Sequence, residues 1–147
     1  MTATTTIPFG AQLIGRTEKA MNALLDRALS GTGITEPQWV TLTLIVSSGG
    51  TLPAGEVVER VRGALKVDET AARERVAELT AAGLVRTTAA GALVATDGGQ
   101  AQWNQVRAAT GRITVELWGD LPEAELAVAG RVLNTILART NAVLAAA

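Results

Sequence analysis

Apolar residues recur at helical spacing along almost all of this sequence, and the period changes to that of a strand once, over residues 84–96. That single switch fixes the class of fold: mainly α, with one small hairpin. Leu13, Thr17, Ala20, Leu24 and Ala28 mark a helix over residues 10–29, with Ile14, Met21 and Leu25 beside the stripe. Ser30-Gly31-Thr32-Gly33 breaks it. A second helix starts cleanly. Thr35 can cap it, Pro37 sits where a missing N–H costs little, and Gln38 stands three residues after the cap. Its expected buried stripe is Trp39, Leu42, Thr43 and Val46, and residues 47–51 end it. A third helix covers residues 53–65, with Val57, Val58, Val61 and Leu65 inward. Asp68 caps a fourth, with Ala72, Val76 and Leu79 facing the core and Gly83 suited to the left-handed position that closes a helix.

Residues 84–88 and 92–96 are β-prone and flank Ala89-Ala90-Gly91, a short loop, so they predict a hairpin. Two long helices follow. Thr96 or Asp97 begins the fifth, with Trp103, Val106, Thr110, Ile113 and Leu117 in line. Asp120 opens the sixth, with Glu123 completing a capping box and Leu126, Ala129, Leu133, Ile136, Thr140 and Leu144 as its stripe. Two short helices followed by a hairpin form the winged helix-turn-helix arrangement. The outer helices carry more apolar surface than so small a module can cover, which points to a two-fold homodimer. No internal repeat is evident; the low-complexity segments are the short Thr- and Ala-rich ends.

Composition narrows the chemistry. With 147 residues, 48% hydrophobic and 18% charged, the chain folds as one domain, alone or with a helical extension. It has no cysteine and no histidine, which removes disulfides, thiolate chemistry, Cys/His zinc sites and any His-based triad. Phe9, Trp39, Trp103 and Trp118 are its only aromatics, too few to stack a run of single-stranded bases. Residues 1–10 lack the charged start and apolar stretch of a secretory signal, and residues 39–46, the most apolar run, are too short to span a bilayer. A cytoplasmic protein is expected, with no cofactor and no metal.

Three segments support a family resemblance. Ile34-Thr35-Glu36-Pro37-Gln38-Trp39-Val40-Thr41-Leu42 is similar to the "LTxxQWxxL" that opens the second helix of MarR-family bacterial transcriptional regulators. Val76-Ala77-Glu78-Leu79-Thr80-Ala81-Ala82-Gly83-Leu84-Val85 resembles the family's "VxxLxxxGLV" at the end of the recognition helix, and Val94-Ala95-Thr96-Asp97-Gly98-Gly99 its "LTxxG" after the wing. The resemblance covers nearly the whole chain. It implies a single MarR-like domain over 1–147, a DNA-binding lobe over 34–96 and dimerisation helices over 7–30 and 97–147. It implies the fourth helix in the DNA major groove and the hairpin tip near the minor groove. It also implies a small aromatic or phenolic ligand between the dimer helices and the DNA-binding lobes. Two features depart from the family pattern. Residues 62–67 are a few more than the usual turn, and residues 87–96 carry no charge where the family has an Asp-Arg-Arg type wing. A wing without Arg or Lys cannot exploit the negative potential of the minor groove.

Net charge is −1, so a polyanionic partner could be met only by local clustering. Six of the thirteen basic residues, Arg60, Arg62, Lys66, Arg73, Arg75 and Arg86, fall within residues 60–86. Glu56, Glu59, Asp68, Glu69, Glu74 and Glu78 balance them. With Ala72, Val76 and Leu79 inward, Glu69, Thr70, Arg73, Glu74 and Ala77 point outward. Arg73 could reach guanine O6 and N7 or remain a solvated charge, and Thr70 could touch a base edge or phosphate. Glu74 stands where the family more often has arginine; it would repel a phosphate or accept from cytosine. Arg75 could meet a phosphate or pair with Glu78 or Glu74. Lys66 and Arg86 are backbone-contact candidates.

Trp39 and Trp103 could line a ligand pocket or simply be core, and Arg16 could meet an anionic ligand; Trp118 reads as packing. Asp97, Glu116 and Asp120 sit at caps or on solvated faces, and Gly98-Gly99 reads as a tight turn, so an enzyme is not expected. The resulting expectation is a homodimeric regulator of double-stranded DNA with a pseudo-palindromic operator, acting as a repressor by steric block. A winged-helix protein-interaction module and a small-molecule carrier remain alternatives.

Overall fold

A computed structural model describes residues 6–146. Residues 1–5, which hold most of the Thr-rich start and part of the segment read for a signal, lie outside the described residues, as does Ala147. The element order is α1 (Ala11–Leu29), α2 (Glu36–Ser47), α3 (Ala54–Leu65), α4 (Glu69–Ala81), β1 (Val85–Thr87), β2 (Leu93–Ala95), α5 (Asp97–Trp118) and α6 (Glu123–Ala145). This is the expected mainly α fold with a single hairpin. The chain divides into two compact units, Met1–Thr110 and Gly111–Ala147, with the boundary inside α5.

Local chemistry places the elements of the first unit. Thr35 caps α2 in a full capping box: its hydroxyl accepts from the Gln38 N–H, and the Gln38 side chain accepts from the Thr35 N–H at 3.1 Å. Asp68 caps α4 by accepting from the Ala71 N–H at 2.8 Å. Gly83, at φ +76, closes α4 and lets the chain turn into β1. The hairpin pairs Val85 with Ala95, Arg86 with Val94 and Thr87 with Leu93. Residues 62–67, read as an enlarged turn, are mostly helix. Arg62 to Leu65 extend α3, and only Lys66, in the left-handed region, and Val67 separate it from the Asp68 cap.

The core of this unit gathers Leu29 of α1, Trp39, Leu42 and Ile45 of α2, three valines of α3, Ala72 and Leu79 of α4, Val85 and Leu93 of the hairpin and Val106 of α5. The buried face of α2 differs from the expected stripe. Thr41 and Ile45 are fully buried, while Thr43 and Val46 are half-buried. Helix α2 touches α1, α3, α4 and β2, so no single apolar stripe marks its inner side. Thr41 tolerates burial because its hydroxyl donates to the Pro37 carbonyl at 2.8 Å.

Gly98-Gly99 is not a tight turn. Both residues lie in the first turn of α5, and Gly99 is buried where a Cβ would sit 1.9 Å from the Leu84 carbonyl oxygen. Thr96 fixes this approach: its N–H donates to Leu84 O at 3.0 Å, its hydroxyl donates to Gly83 O at 2.6 Å, and the same hydroxyl accepts from Gly99 N–H at 3.0 Å.

The second unit holds the end of α5 and all of α6. Asp120 does not cap α6. The helix begins after Pro122, whose ψ of 133° is extended, and no side chain caps it. Proline disfavours helical geometry in the residue before it, so Leu121 cannot serve as a first helical residue and the Asp120 box has no helix to cap. No residue of α6 is buried, and Val128, Val132, Leu133, Leu137, Val143 and Leu144 are exposed. Among the described residues, no helix is long and apolar enough to cross a membrane.

Candidate nucleic-acid interface

Helix α4 presents the face expected of it. Ala72 and Leu79 are buried and Val76 is half-buried, while Glu69, Thr70, Arg73, Glu74 and Ala77 are exposed. The charges on this face pair with one another. Arg73 donates twice to one oxygen of Glu69, from Nη2 at 2.7 Å and Nε at 3.1 Å. That contact holds the Glu69 carboxyl below the usual carboxylate range, first through the hydrogen bond and then through the Arg73 charge. Both side chains are more than half exposed, so water and salt screen the pair and it stabilises the helix little. A phosphate or guanine edge can therefore draw Arg73 away at small cost.

Arg75 is held more firmly. Its Nη2 lies 2.5 Å from Glu78 and 3.4 Å from Glu74, and its side chain is about three-quarters covered. Glu78 in turn accepts from the Gln38 side-chain amide at 2.5 Å, a link between α2 and α4. Arg62 pairs with Glu59 on α3. Among the described residues, Arg60, Lys66 and Arg86 have no carboxylate partner, and all three are exposed. Lys66 sits at the turn into α4, its Nζ donating to Gly63 O at 2.8 Å, and Arg86 lies on β1 opposite Val94. The balanced charge of the lobe thus resolves into carboxylates largely occupied by neighbouring arginines and a few cations with no carboxylate partner among the described residues.

The hairpin tip is short and uncharged. Gly91, at φ +84, closes it, Thr88 N–H donates to Ala92 O at 2.8 Å, and the tip is tied to the start of α3 through Leu93 N–H to Leu52 O at 3.1 Å and Ala54 N–H to Gly91 O at 3.2 Å. Ala89, Ala90 and Gly91 are exposed, with no cation to offer a minor groove.

Trp39 and Trp103 stack on each other, ring centroids 6.1 Å apart with 17° between planes, so each covers a face of the other. Trp103 Nε1 donates to Thr43 Oγ1 at 3.1 Å. Arg16 is exposed on α1 and has no ion pair among the described residues. Sequence reasoning missed the tryptophan stack, the Thr43 partner and the Gln38–Glu78 link. These join residues 40 to 64 apart, and no local spacing signals such contacts. Among the described residues, no group of three His, Cys, Asp or Glu could hold a metal ion.

No protein family matches the chain by sequence pattern, and no curated protein is significantly similar to it. Solved structures are similar. The reduced form of MarR from E. coli shares 26% identity, with 90% of this chain and 96% of that one covered, at a TM-score of 0.66. CouR from Rhodococcus jostii RHA1, bound to p-coumaroyl-CoA, matches at 18% identity over 85% of this chain and 89% of its own, TM-score 0.73. The Mycobacterium tuberculosis MarR family protein Rv2887 in complex with DNA matches at 21% identity over 89% of this chain and 98% of its own, TM-score 0.65; the same protein is also solved with salicylic acid. With helix order, hairpin and near-complete coverage agreeing, the chain has the winged-helix fold of these MarR-family structures.

Proposed function

We propose that this chain is a double-stranded-DNA-binding transcriptional regulator that works as a homodimer, with α4 of each copy in the major groove. The observation that carries the reading is the outer face of α4: Thr70, Arg73 and Glu74 exposed in one patch, with Lys66, free of any carboxylate among the described residues, at the turn before it. The same fold lies on DNA in Rv2887. Two-fold pairing is supported by α6, which buries none of its own residues and exposes six valines and leucines. Fully burying an exposed side chain of this kind stabilises by about 1.5–3 kcal/mol, and each of these six, already part-covered, would contribute a fraction of that to an interface with a second copy. Base reading falls to Arg73, Thr70 and Glu74, with Glu69 holding Arg73 until DNA arrives. Phosphate contact falls to Lys66, Arg86 and, once freed from Glu78, Arg75. The uncharged wing leaves the minor groove largely unread. Binding over a promoter represses it by occlusion, in the cytoplasm of a bacterial cell and without catalysis.

A small aromatic or phenolic ligand is the second partner we propose, on the strength of the acyl-CoA and salicylic acid held by CouR and Rv2887. Trp39, Trp103 and Arg16 are the residues we would test first for contact with it. A ligand lowers DNA affinity only by its differential affinity for the bound and free states.

Titrating labelled duplex at several salt concentrations tests the reading. If Lys66, Arg75 and Arg86 of both copies each neutralise one phosphate, log affinity falls with log salt at a slope of about −5. A flat slope, or no binding in dilute buffer, would instead indicate a winged-helix module for a protein partner.

A further inference from the structure

We infer that Gln38 is a positioning residue for the recognition helix: its amide fixes the roll of α4 through Glu78, and so aims Arg73 and Glu74 at the bases. This rests on the DNA-binding reading above. Apolar packing seats α4 by one stripe: Ala72 and Leu79 are buried, and half-buried Val76 packs against the core between them. Apolar contact carries no directional preference, whereas a hydrogen bond on the flank of the stripe does. Glu78 lies about 100° around from Leu79, on the flank that also carries Glu74, and there it is tied from outside the helix.

The tie is one continuous chain of polar contacts. Gln38 Oε1 accepts from the Thr35 N–H at 3.1 Å, which seats the amide in the cap of α2. Gln38 Nε2 then donates to Glu78 Oε2 at 2.5 Å. The other Glu78 oxygen meets Arg75 Nη2 at 2.5 Å, and the same nitrogen reaches Glu74 at 3.4 Å. Gln38 and Glu78 are both half-buried, where polar contacts are less screened than on an open surface. Because the amide is bound at both ends, it cannot follow α4 if the helix rolls. The consequence for reading DNA is geometric. A roll of about 20° carries a side-chain tip about 6 Å from the helix axis through about 2 Å, more than a hydrogen bond to a base edge tolerates. A capping-box residue thereby becomes a determinant of selectivity without touching DNA.

The test separates capping from positioning. Glutamate serves the third position of a capping box as well as glutamine, so Gln38→Glu keeps α2 capped while setting two carboxylates against each other. Wild type, Gln38→Glu, Glu78→Gln, the double variant and the core control Ile45→Val are made as full chains. Wild type selects from a randomised duplex pool spanning about three helical turns. For each protein the readouts are the melting temperature and the affinity ratio between selected and unselected duplex at one salt concentration. The ratio is expected to fall about tenfold, the discrimination a single base pair carries, in both single variants. It should return to within about threefold of wild type in the double variant, where the donor and acceptor are exchanged. Ile45→Val should lower the melting temperature and leave the ratio intact. An unchanged ratio in Gln38→Glu, an unrestored double variant or an equal loss in Ile45→Val overturns the positioning role. A wild type that selects no sequence and binds no duplex overturns the DNA-binding reading itself.

Discussion

Placing a methyl group at Gly99 should destabilise the lobe by about 2–3 kcal/mol, and placing one at Gly98 should not. Two effects oppose each other in a glycine-to-alanine change within a helix. Alanine gains up to about 1 kcal/mol in helix propensity. At Gly98 the nearest atom to the new Cβ is Thr96 Oγ1 at 3.8 Å, an ordinary contact, so propensity wins and Gly98→Ala is neutral or mildly stabilising. At Gly99 the new Cβ falls 1.9 Å from Leu84 O and 2.8 Å from Leu84 C. Reaching an ordinary carbon–oxygen separation of about 3.3 Å needs a shift of about 1.4 Å between two backbones. Such a shift strains or breaks the bonds that Thr96 makes with Leu84, Gly83 and Gly99, at about 1 kcal/mol each, and overpacking adds about 1–3 kcal/mol. Partial relaxation and the propensity gain offset part of that sum, which leaves the 2–3 kcal/mol stated. Equilibrium urea unfolding at fixed protein concentration, followed by fluorescence of the stacked Trp39 and Trp103, measures both variants. Unfolding free energies for the two variants within about 0.5 kcal/mol of each other would refute the close-approach argument.

The DNA face carries its own predictions. Arg73→Ala should weaken binding to a selected duplex by about 1–3 kcal/mol and relax base selectivity, read from filter-binding titrations on selected and unselected duplex; an unaltered ratio between the two would remove Arg73 from base reading. Glu74→Arg should tighten binding to unselected DNA, and weaker binding would assign Glu74 to base reading through cytosine. Glu69 titrates below its unfolded value in the folded state, so its contact with Arg73 stabilises α4 fully above the unfolded pKa and is lost as pH falls through the folded pKa. Comparing Glu69→Gln with wild type by thermal unfolding across acidic pH should therefore show the two curves converging at low pH; a constant gap would contradict the pairing.

What the sequence disclosed was local. The caps at Thr35 and Asp68, the left-handed Gly83 and the Gly91 hairpin turn each involve residues within a few positions of one another, and each is found where its chemistry predicts. The start of α6 was misread because a good capping pattern at Asp120 and Glu123 competes with Pro122 inside it, and the proline's geometric constraint prevails. The inner face of α2 escaped periodicity because the helix is enclosed on several sides. Gly99 hid its role because two adjacent glycines suit a turn as well as a close approach. The charged face of α4 was legible as residues, but its pairing was not: a net balance of zero does not say which carboxylates are already occupied.

The most direct measurement of the central claim is the sequence of DNA recovered with the protein from its native cells. The account predicts a shared element with two-fold symmetry, its half-sites about one helical turn apart, matching one α4 from each of two copies. Recovery of no common sequence, or of a single element without a symmetric mate, would contradict it.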